Sequence, residues 1–315
     1  MKTQKTLSSS AIAAACVLAL ASCNQSDDIA PDGLQAVHFT AAIGEQAVAA
    51  AAPQTRAAGT NWHTNDAIGI FMMKNKNTGI AATYAGNKKF TTERASRFLP
   101  ESGHEIYFPL DEDNPVDFIA YYPYKDVDKL NMESKIDVST ADQSKQCEFD
   151  MMWGKADNNG QGYNKKYVDD IPLGVDHRLA RLTMNCKVAL NTGLVDLDGA
   201  TVTIKGMNTT TTFAVKDGAI GTAATVADMI ARKSATTSGY LATFDAIIVP
   251  AEYAANEVKV EFTVHGDTYT WKMDATVFES GNDYVYDVTL THTGVKATGN
   301  IHPWNTINEA PVYAE

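Results

Sequence analysis

Apolar and polar residues alternate with a period of two along much of this chain, a pattern typical of β-strands with one buried face. The clearest case is EVKVEFTVHGDTYTWKM, residues 257–273, where valine and phenylalanine alternate with polar residues up to the turn-forming His-Gly-Asp. This pattern predicts a β-hairpin. YVYDVTL, residues 284–290, predicts another strand of the same kind.

Other segments are apolar at nearly every position. DAIGIFMM, residues 66–73, and VDFIAYYPY, residues 116–124, are dense apolar runs, which indicates strands covered on both faces. In LTMNCKVAL an alternating set is predicted to share one buried face: Leu182, Met184, Cys186, Val188 and Leu190. The main helix prediction is a two-turn segment, Thr225–Lys233, with Thr225 as its N-cap.

Many short strands separated by turns rich in Gly, Asn and Asp predict an all-β protein built from antiparallel β-sandwiches. With 315 residues, the chain is large for one sandwich, so we expect two in tandem. The polar, glycine-rich stretch at 157–174 suggests the boundary between them. We therefore assign residues 57–174 to an N-terminal domain and 175–315 to a C-terminal domain.

The net charge changes the picture by excluding one class of partner. The chain has 26 Lys and Arg against 38 Asp and Glu, a formal charge of −12. An acidic chain without a basic patch repels the phosphate backbone of nucleic acids. We therefore expect no nucleic-acid partner.

The first residues have the features of a bacterial lipoprotein signal peptide. Two lysines precede the apolar run Ala11–Ala21, which is too short to span a bilayer. LASC, residues 20–23, resembles a lipobox, which implies that residues 1–22 are removed and that Cys23 is acylated, palmitate included. Acyl chains on Cys23 would anchor the protein in outer-membrane lipid. The alternative is an ordinary secretory peptide with a chance cysteine.

Two further features lie between Cys23 and the first predicted domain. Asp27 and Asp28 resemble the surface-export signal of Bacteroidetes lipoproteins, although a solvated linker is an equal interpretation. Arg56 is the first basic residue after Lys5 and lies in a run of small residues. Exposed connections of this composition are typical protease sites, and a cut between Arg56 and Ala57 would release everything that precedes it.

The two cysteines that remain after Cys23 leave two interpretations open. In an oxidising envelope Cys147 and Cys186 can form a disulfide. They can equally be small buried apolar residues, and the strand pattern around Cys186 favours this interpretation for that residue.

The chemistry of an enzyme is not evident in the sequence. It contains no HExxH, GxSxG, Walker or dinucleotide-binding motif, and no histidine pair spaced for zinc. DNNGQG, residues 157–162, begins like a calcium loop but has Val168 where the loop needs Glu, so we expect a plain turn. The aromatic run Tyr121–Tyr124 is interpreted as core rather than as a sugar-stacking platform. We expect no enzyme, no metal and no cofactor.

Several motifs in order carry a family resemblance. Behind the lipobox come TRAAGTNW, DAIGIFM, FIAYYPY, ADQSKQCEFDMMWGKAD, DHRLARLTM, SGNDYVYDVTL and GNIHPW. This order resembles the fimbrillin family of Bacteroidetes, the Mfa-like subunits of type V pili. The resemblance implies two transthyretin-like β-sandwich domains and export as a surface lipoprotein. It also implies cleavage by an arginine-specific protease and assembly by donor-strand exchange into an adhesive fimbrium.

On this scheme residues 23–56 form a lipidated propeptide that carries the first β-strand. AVHFTAAIG places one alternating set on the buried face of that displaced strand: Val37, Phe39, Ala41 and Ile43. The expected partners are other fimbrial subunits, and host glycan or protein at the adhesive end.

The position in the fibre stays open at this stage. Only 11 residues follow Trp304, with Pro311 among them and poor alternation, which is unfavourable for a donor strand and leaves tip, anchor and shaft roles open. A donor that includes ATGNIHPW, residues 297–304, is one alternative. A second candidate function is a non-polymerising surface lipoprotein that binds glycan or host protein.

Overall fold

The structure is a computed structural model that describes residues 33–44, 61–77, 86–94, 96–127, 129–190, 196–291 and 294–304. Strands form most of its regular structure. The described helical pieces are short: α1 (Gln146–Phe149) and 3₁₀ turns at Asn75–Asn77 and Gln143–Lys145. The all-β prediction is confirmed. Within these residues, no helix has the length and apolar character needed to cross a membrane.

The described residues of the N-terminal half form eight strands. They are β1 (Phe39–Ile43), β2 (Ala67–Lys74), β3 (Lys88–Arg94), β4 (Arg97–Pro100), β5 (Val116–Tyr122), β6 (Lys135–Ser139), β7 (Met152–Ala156) and β8 (Ile171–His177). All except β6 join in one closed barrel, in the order β1-β4-β3-β2-β5-β7-β8. The barrel closes because β8 pairs with β1 in parallel. The transthyretin-like arrangement stays a prediction.

The dense apolar runs are explained by two cores. All seven residues of β5 are buried, because one face of the strand lines the barrel and the other lies in a second apolar cluster outside it. Tyr121 belongs to this outer cluster and Tyr122 to the barrel core. The interpretation of these two tyrosines as core is therefore confirmed.

The C-terminal half contains thirteen strands in the described residues. They are β9 (Ala180–Val188), β10 (Thr201–Lys205), β11 (Asn208–Ala214), β12 (Ala224–Val226), β13 (Met229–Ile230), β14 (Arg232–Ser234), β15 (Ala242–Ile248), β16 (Ala251–Tyr253), β17 (Lys259–Val264), β18 (Asp267–Lys272), β19 (Thr276–Phe278), β20 (Asn282–Thr291) and β21 (Gly294–Pro303).

These strands build a sandwich around its own core. A five-stranded sheet, β14-β15-β9-β20-β21, and a four-stranded sheet, β13-β10-β17-β18, contribute the residues of one apolar cluster. The predicted hairpin is β17 and β18, with His265 and Gly266 at positive φ in the turn. That prediction is confirmed.

The two halves are tied by a shared sheet. β6 leaves the barrel and pairs with β11 of the C-terminal half, in the order β12-β11-β6. Below this sheet lies the outer cluster, to which Phe71, Phe213 and Trp304 belong. Gln143 adds two buried bonds to the backbone of Ile247, one donated by its amide at 2.8 Å and one accepted at 2.8 Å.

The predicted helix at Thr225–Lys233 is wrong. The segment passes through three short strands, β12, β13 and β14, and Thr225 has a φ of 56°. Met229 and Ala231 are buried while Ile230 is 65% exposed, which is a period of two. Each strand finds a neighbour in a different sheet, and this long-range pairing overrides the local helix preference.

One smaller prediction, at Leu190, also needs correction. Leu190 is not part of a buried face, because β9 ends at Val188 and Leu190 lies in the following turn, 94% exposed. The predicted boundary between residues 174 and 175 lies within β8, which extends to His177, and the division into two domains stays a prediction.

The cysteine question is answered by geometry. No disulfide joins Cys147 and Cys186. Cys186 is fully buried in the sandwich core, and burial raises the pKa of its thiol to about 12. The interpretation of Cys186 as a small core residue is confirmed.

Candidate functional site

The candidate site is the position of β1 in the barrel wall. β1 lies between β4, to which it is antiparallel, and β8, to which it is parallel. Phe39 pairs with Phe98 on one side and with Ile171 on the other. Both neighbours come from far along the chain, so β1 is held by non-local contacts alone.

The alternating residues of AVHFTAAIG point into the barrel. Val37, Phe39, Ala41 and Ile43 are at most 2% exposed and belong to the barrel core. Phe39 packs edge-to-face against Phe90 at 5.0 Å and against Phe118 at 5.1 Å between ring centroids. The inward face of β1 is therefore part of the core itself.

The chain just before β1 adds backbone bonds on both sides. The Val37 amide donates to the Ile106 carbonyl at 2.9 Å, and the Phe108 amide donates to the Gln35 carbonyl at 3.0 Å. The Ile171 amide donates to the His38 carbonyl at 2.9 Å. We call the position that β1 and the residues just before it occupy in the barrel wall the strand seat. It is longer than β1 and begins at residue 35.

Trp62 contacts β1 near the other end of the strand seat. The Ala41 amide donates to Ser96 O at 2.8 Å, and the Ala41 carbonyl accepts from the indole Nε1 of Trp62 at 2.8 Å. Trp62 is 8% exposed, edge-to-face with Phe98 at 5.0 Å and with Tyr122 at 5.4 Å. The indole therefore binds the backbone of β1 from the main body of the barrel.

A small turn positions Trp62. The Asp66 carboxylate accepts from the His63 amide at 2.8 Å, and the Asp66 amide donates to the His63 carbonyl at 3.0 Å. The Tyr122 hydroxyl donates to the same carboxylate at 3.3 Å. Burial raises the pKa of Tyr122, and Asp66 raises it further, so the hydroxyl keeps its proton and remains a donor.

An ion pair spans the outer side of β1. Arg97 of β4 donates from Nε to the Asp170 carboxylate, next to the start of β8, at 2.9 Å. Since Thr40 pairs with Arg97 on one side and with Pro172 on the other, this ion pair links the two strands that flank β1. Both side chains are partly exposed, 43% and 26%.

The groups around β1 are the kind that hold a β-strand in place. The site consists of two strand edges, an apolar interior and one indole N–H. Among the residues that the structure describes, no cluster of His, Cys, Asp or Glu has metal-ligand geometry. In DNNGQG, the Gly162 amide donates to the Asp157 carbonyl at 2.8 Å and Lys155 pairs with the Asp157 carboxylate, which is the arrangement of a turn.

The remaining predicted site residues lie outside the described part of the chain. They are Cys23, Asp27, Asp28, Arg56 and Ala57. The described chain leaves the seat at Gly44 and resumes at Asn61, next to Trp62.

Sequence reasoning missed two parts of the site. Trp62 had no assigned role, although one large apolar residue within the polar stretch GTNWHTND suggests burial. The Arg97–Asp170 pair had no signal, because its partners are brought together only by barrel closure.

A family model described as fimbrillin-like matches residues 55–304. A fimbrium subunit of Bacteroides uniformis, Fim1C, is 31% identical over 268 residues, which cover 81% of this chain and 82% of that protein.

This chain is also similar to solved structures. A Bacteroides uniformis protein described as a cell adhesion protein is 25% identical with a TM-score of 0.67, over 87% of this chain and 99% of its own. A protein from Bacteroides ovatus with the same description has a TM-score of 0.64 at 20% identity, over 87% and 99% of the two chains; this match supports the fold alone. From its match over residues 55–304, the chain belongs to the fimbrillin-like family.

Proposed function

We propose that this chain is a structural subunit of a surface fimbria and that β1 is the strand that leaves during assembly. The family membership and the similarity to Fim1C support the first part. Adhesion is the cell-level result, in agreement with the description of the similar Bacteroides uniformis structure. The proposal assigns no catalytic activity to this chain itself.

One observation supports the second part above the others. β1 is the one strand of the described barrel that precedes Arg56, and the family match begins at residue 55. Cleavage after Arg56 therefore separates β1 covalently from the other strands of the barrel. Loss of β1 exposes the apolar residues around Phe39 and the unpaired edges of β4 and β8. A strand from another subunit repairs both defects, as in donor-strand complementation.

The export route completes the proposal. Cys23 is acylated and anchors the precursor in the outer membrane, Asp27 and Asp28 direct it to the surface, and an arginine-specific protease cuts after Arg56. Lipid and β1 then lie on the same released piece, so one cut ends anchoring and opens the strand seat.

A reversible lock on β1 tests this assembly step. Because Ala41 donates to Ser96 O, the neighbouring pair of Thr40 and Arg97 is the non-hydrogen-bonded kind, whose Cβ atoms are close enough for a disulfide. In a Cys147→Ser background, the oxidised T40C/R97C variant should be cut after Arg56 yet should form no heat-sensitive ladder on mild denaturing gels. The ladder should appear after reduction.

The matched control is T40S/R97S, which cannot form the bond and should assemble with or without reductant. Equal assembly of the oxidised and reduced cysteine variants would contradict strand release. N-terminal sequencing of the surface form tests maturation separately. Ala57 at the N-terminus supports it, whereas acylated Cys23 without any ladder supports a non-polymerising surface lipoprotein.

A further inference from the structure

We infer that the strand seat, once β1 has left it, selects the incoming strand at two adjacent inward positions. Trp62 binds the backbone of the incoming strand at the second position. The incoming strand needs a large aromatic residue at the position of Phe39 and a residue no larger than alanine at the position of Ala41. This inference rests on the proposed function and names the kind of partner strand that the seat accepts.

The first position is defined by aromatic contacts. Phe39 is fully buried and touches Phe90 and Phe118 edge-to-face, at interplanar angles of 87° and 77°. Both partners stay in the barrel when β1 leaves. A smaller side chain at this position leaves a cavity between them, which is costly in a packed core.

The second position is defined by Trp62. Ala41 is the small member of the inward set and is 1% exposed. The indole lies directly against its backbone, with Nε1 2.8 Å from the Ala41 carbonyl. The Ala41 side chain itself lies in the packed barrel core, where extra methylene groups are destabilising. Position 41 is therefore restricted in size.

Trp62 also lacks a partner for its indole N–H once β1 has left. Trp62 lies after Arg56 and stays with the barrel, whereas Ala41 lies before it. A buried donor without an acceptor is unfavourable, so the open seat favours a strand that presents a carbonyl at this point. The side-chain pattern and the indole together fix the register of the incoming strand.

The rule excludes one candidate partner strand. Neither face of β21 carries an aromatic residue followed two positions later by a small one: the faces read Gly294, Lys296, Thr298, Asn300, His302 and Val295, Ala297, Gly299, Ile301, Pro303. β21 of a second copy is therefore a poor fit to this seat. The natural occupant comes from a different strand.

The test uses the full chain cut after Arg56 and a labelled peptide of residues 35–44, which is loaded into the seat by exchange. The readout is the dissociation rate of the label during a chase with excess unlabelled peptide. An Ala41→Leu peptide should dissociate about tenfold faster or more than the natural peptide. An Ala42→Leu peptide should stay within about twofold, because residue 42 faces outward beside Gly174, where an added Cβ meets nothing within 4 Å. A peptide of residues 294–304 should not load.

The protein variants test the indole. Trp62→Phe keeps an aromatic ring but removes the N–H, and should speed dissociation of the natural peptide about tenfold. Trp153→Phe is the matched control, since its indole donates at 2.9 Å to Val215 O, away from the seat, and it should leave the rate unchanged. Equal rates for the two protein variants, or for the two leucine peptides, would overturn the inference alone. Failure of the natural peptide to load would overturn the proposed function as well.

Discussion

β1 and β21 are the first and last strands of the described chain, and they are held in opposite ways. β1 lies between two strands, and its inward residues are buried in the barrel core. β21 pairs with β20 alone, at the edge of the five-stranded sheet, and most of its residues are exposed. Ile301 of β21 is 63% exposed, whereas Phe39 of β1 is fully buried.

The difference shows which strand the molecule needs for a closed core. β21 forms a local hairpin with β20. Without β21, β20 would become the edge strand of the same sheet. Loss of β1 opens a closed barrel and creates two new edges at once. If β1 is released as we propose, another strand has to replace it, and cleavage would then be coupled to assembly.

The largest expected effect is at Phe39. Phe39→Ala should lower the free energy of unfolding of the barrel by about 4 kcal/mol, because it leaves a cavity between Phe90 and Phe118. Ile301→Ala, the matched change on β21, should cost less than about 0.5 kcal/mol. Urea titrations of the two variants, followed by tryptophan fluorescence, measure both values. Similar losses would mean that the two strands do not differ as described.

The strands themselves were predictable because their periodicity is local. The β17–β18 hairpin and the dense runs of β2 and β5 follow directly from the order of apolar residues. The alternation in AVHFTAAIG also identified the inward residues of β1.

The pairing was not predictable. Periodicity shows that a face is buried but not what covers it, so neither the parallel β1–β8 pair nor the exchange of β6 into a sheet with β11 has a local signal. The same reason explains Thr225–Lys233, where three short strands in different sheets replace a predicted helix. Trp62 acquires its role only when barrel closure brings the Ala41 carbonyl to it.

The sandwich also has a group that should make its stability depend on pH. In the sandwich, the buried carboxylate of Asp245 accepts from Arg181 at 2.7 Å and from Arg232 at 2.7 and 2.9 Å. Burial alone would raise the pKa of Asp245, but the hydrogen bonds from Arg232 and the charge of Arg181 bring it below its ordinary value. A carboxyl with a lowered pKa in the folded state stabilises the fold above its unfolded pKa. That contribution is lost as the pH falls through the lowered value.

Asp245→Asn should therefore cost about 2 kcal/mol at neutral pH, since two partly exposed arginines lose the carboxylate that accepts their hydrogen bonds. The variant should also lose less stability than the natural chain as the pH falls below about 4. Thermal unfolding across pH 3–7 compares the variant with Asp283→Asn, in which burial already raises the pKa of the replaced carboxyl. An unchanged acid profile for Asp245→Asn would contradict this account.

The smallest expected effect is at the ion pair across β1. Arg97 and Asp170 are both partly exposed, and exposed pairs stabilise proteins by less than about 1 kcal/mol. Arg97→Ala and Asp170→Ala should each lower the free energy of barrel unfolding by less than that amount. A double-mutant cycle in urea, repeated at high salt, isolates their coupling. A coupling above about 2 kcal/mol would show that the ion pair, and not the inward apolar face, is the main restraint on β1. It would then weaken the contrast with β21, because a surface contact rather than the barrel core would set the cost of strand release.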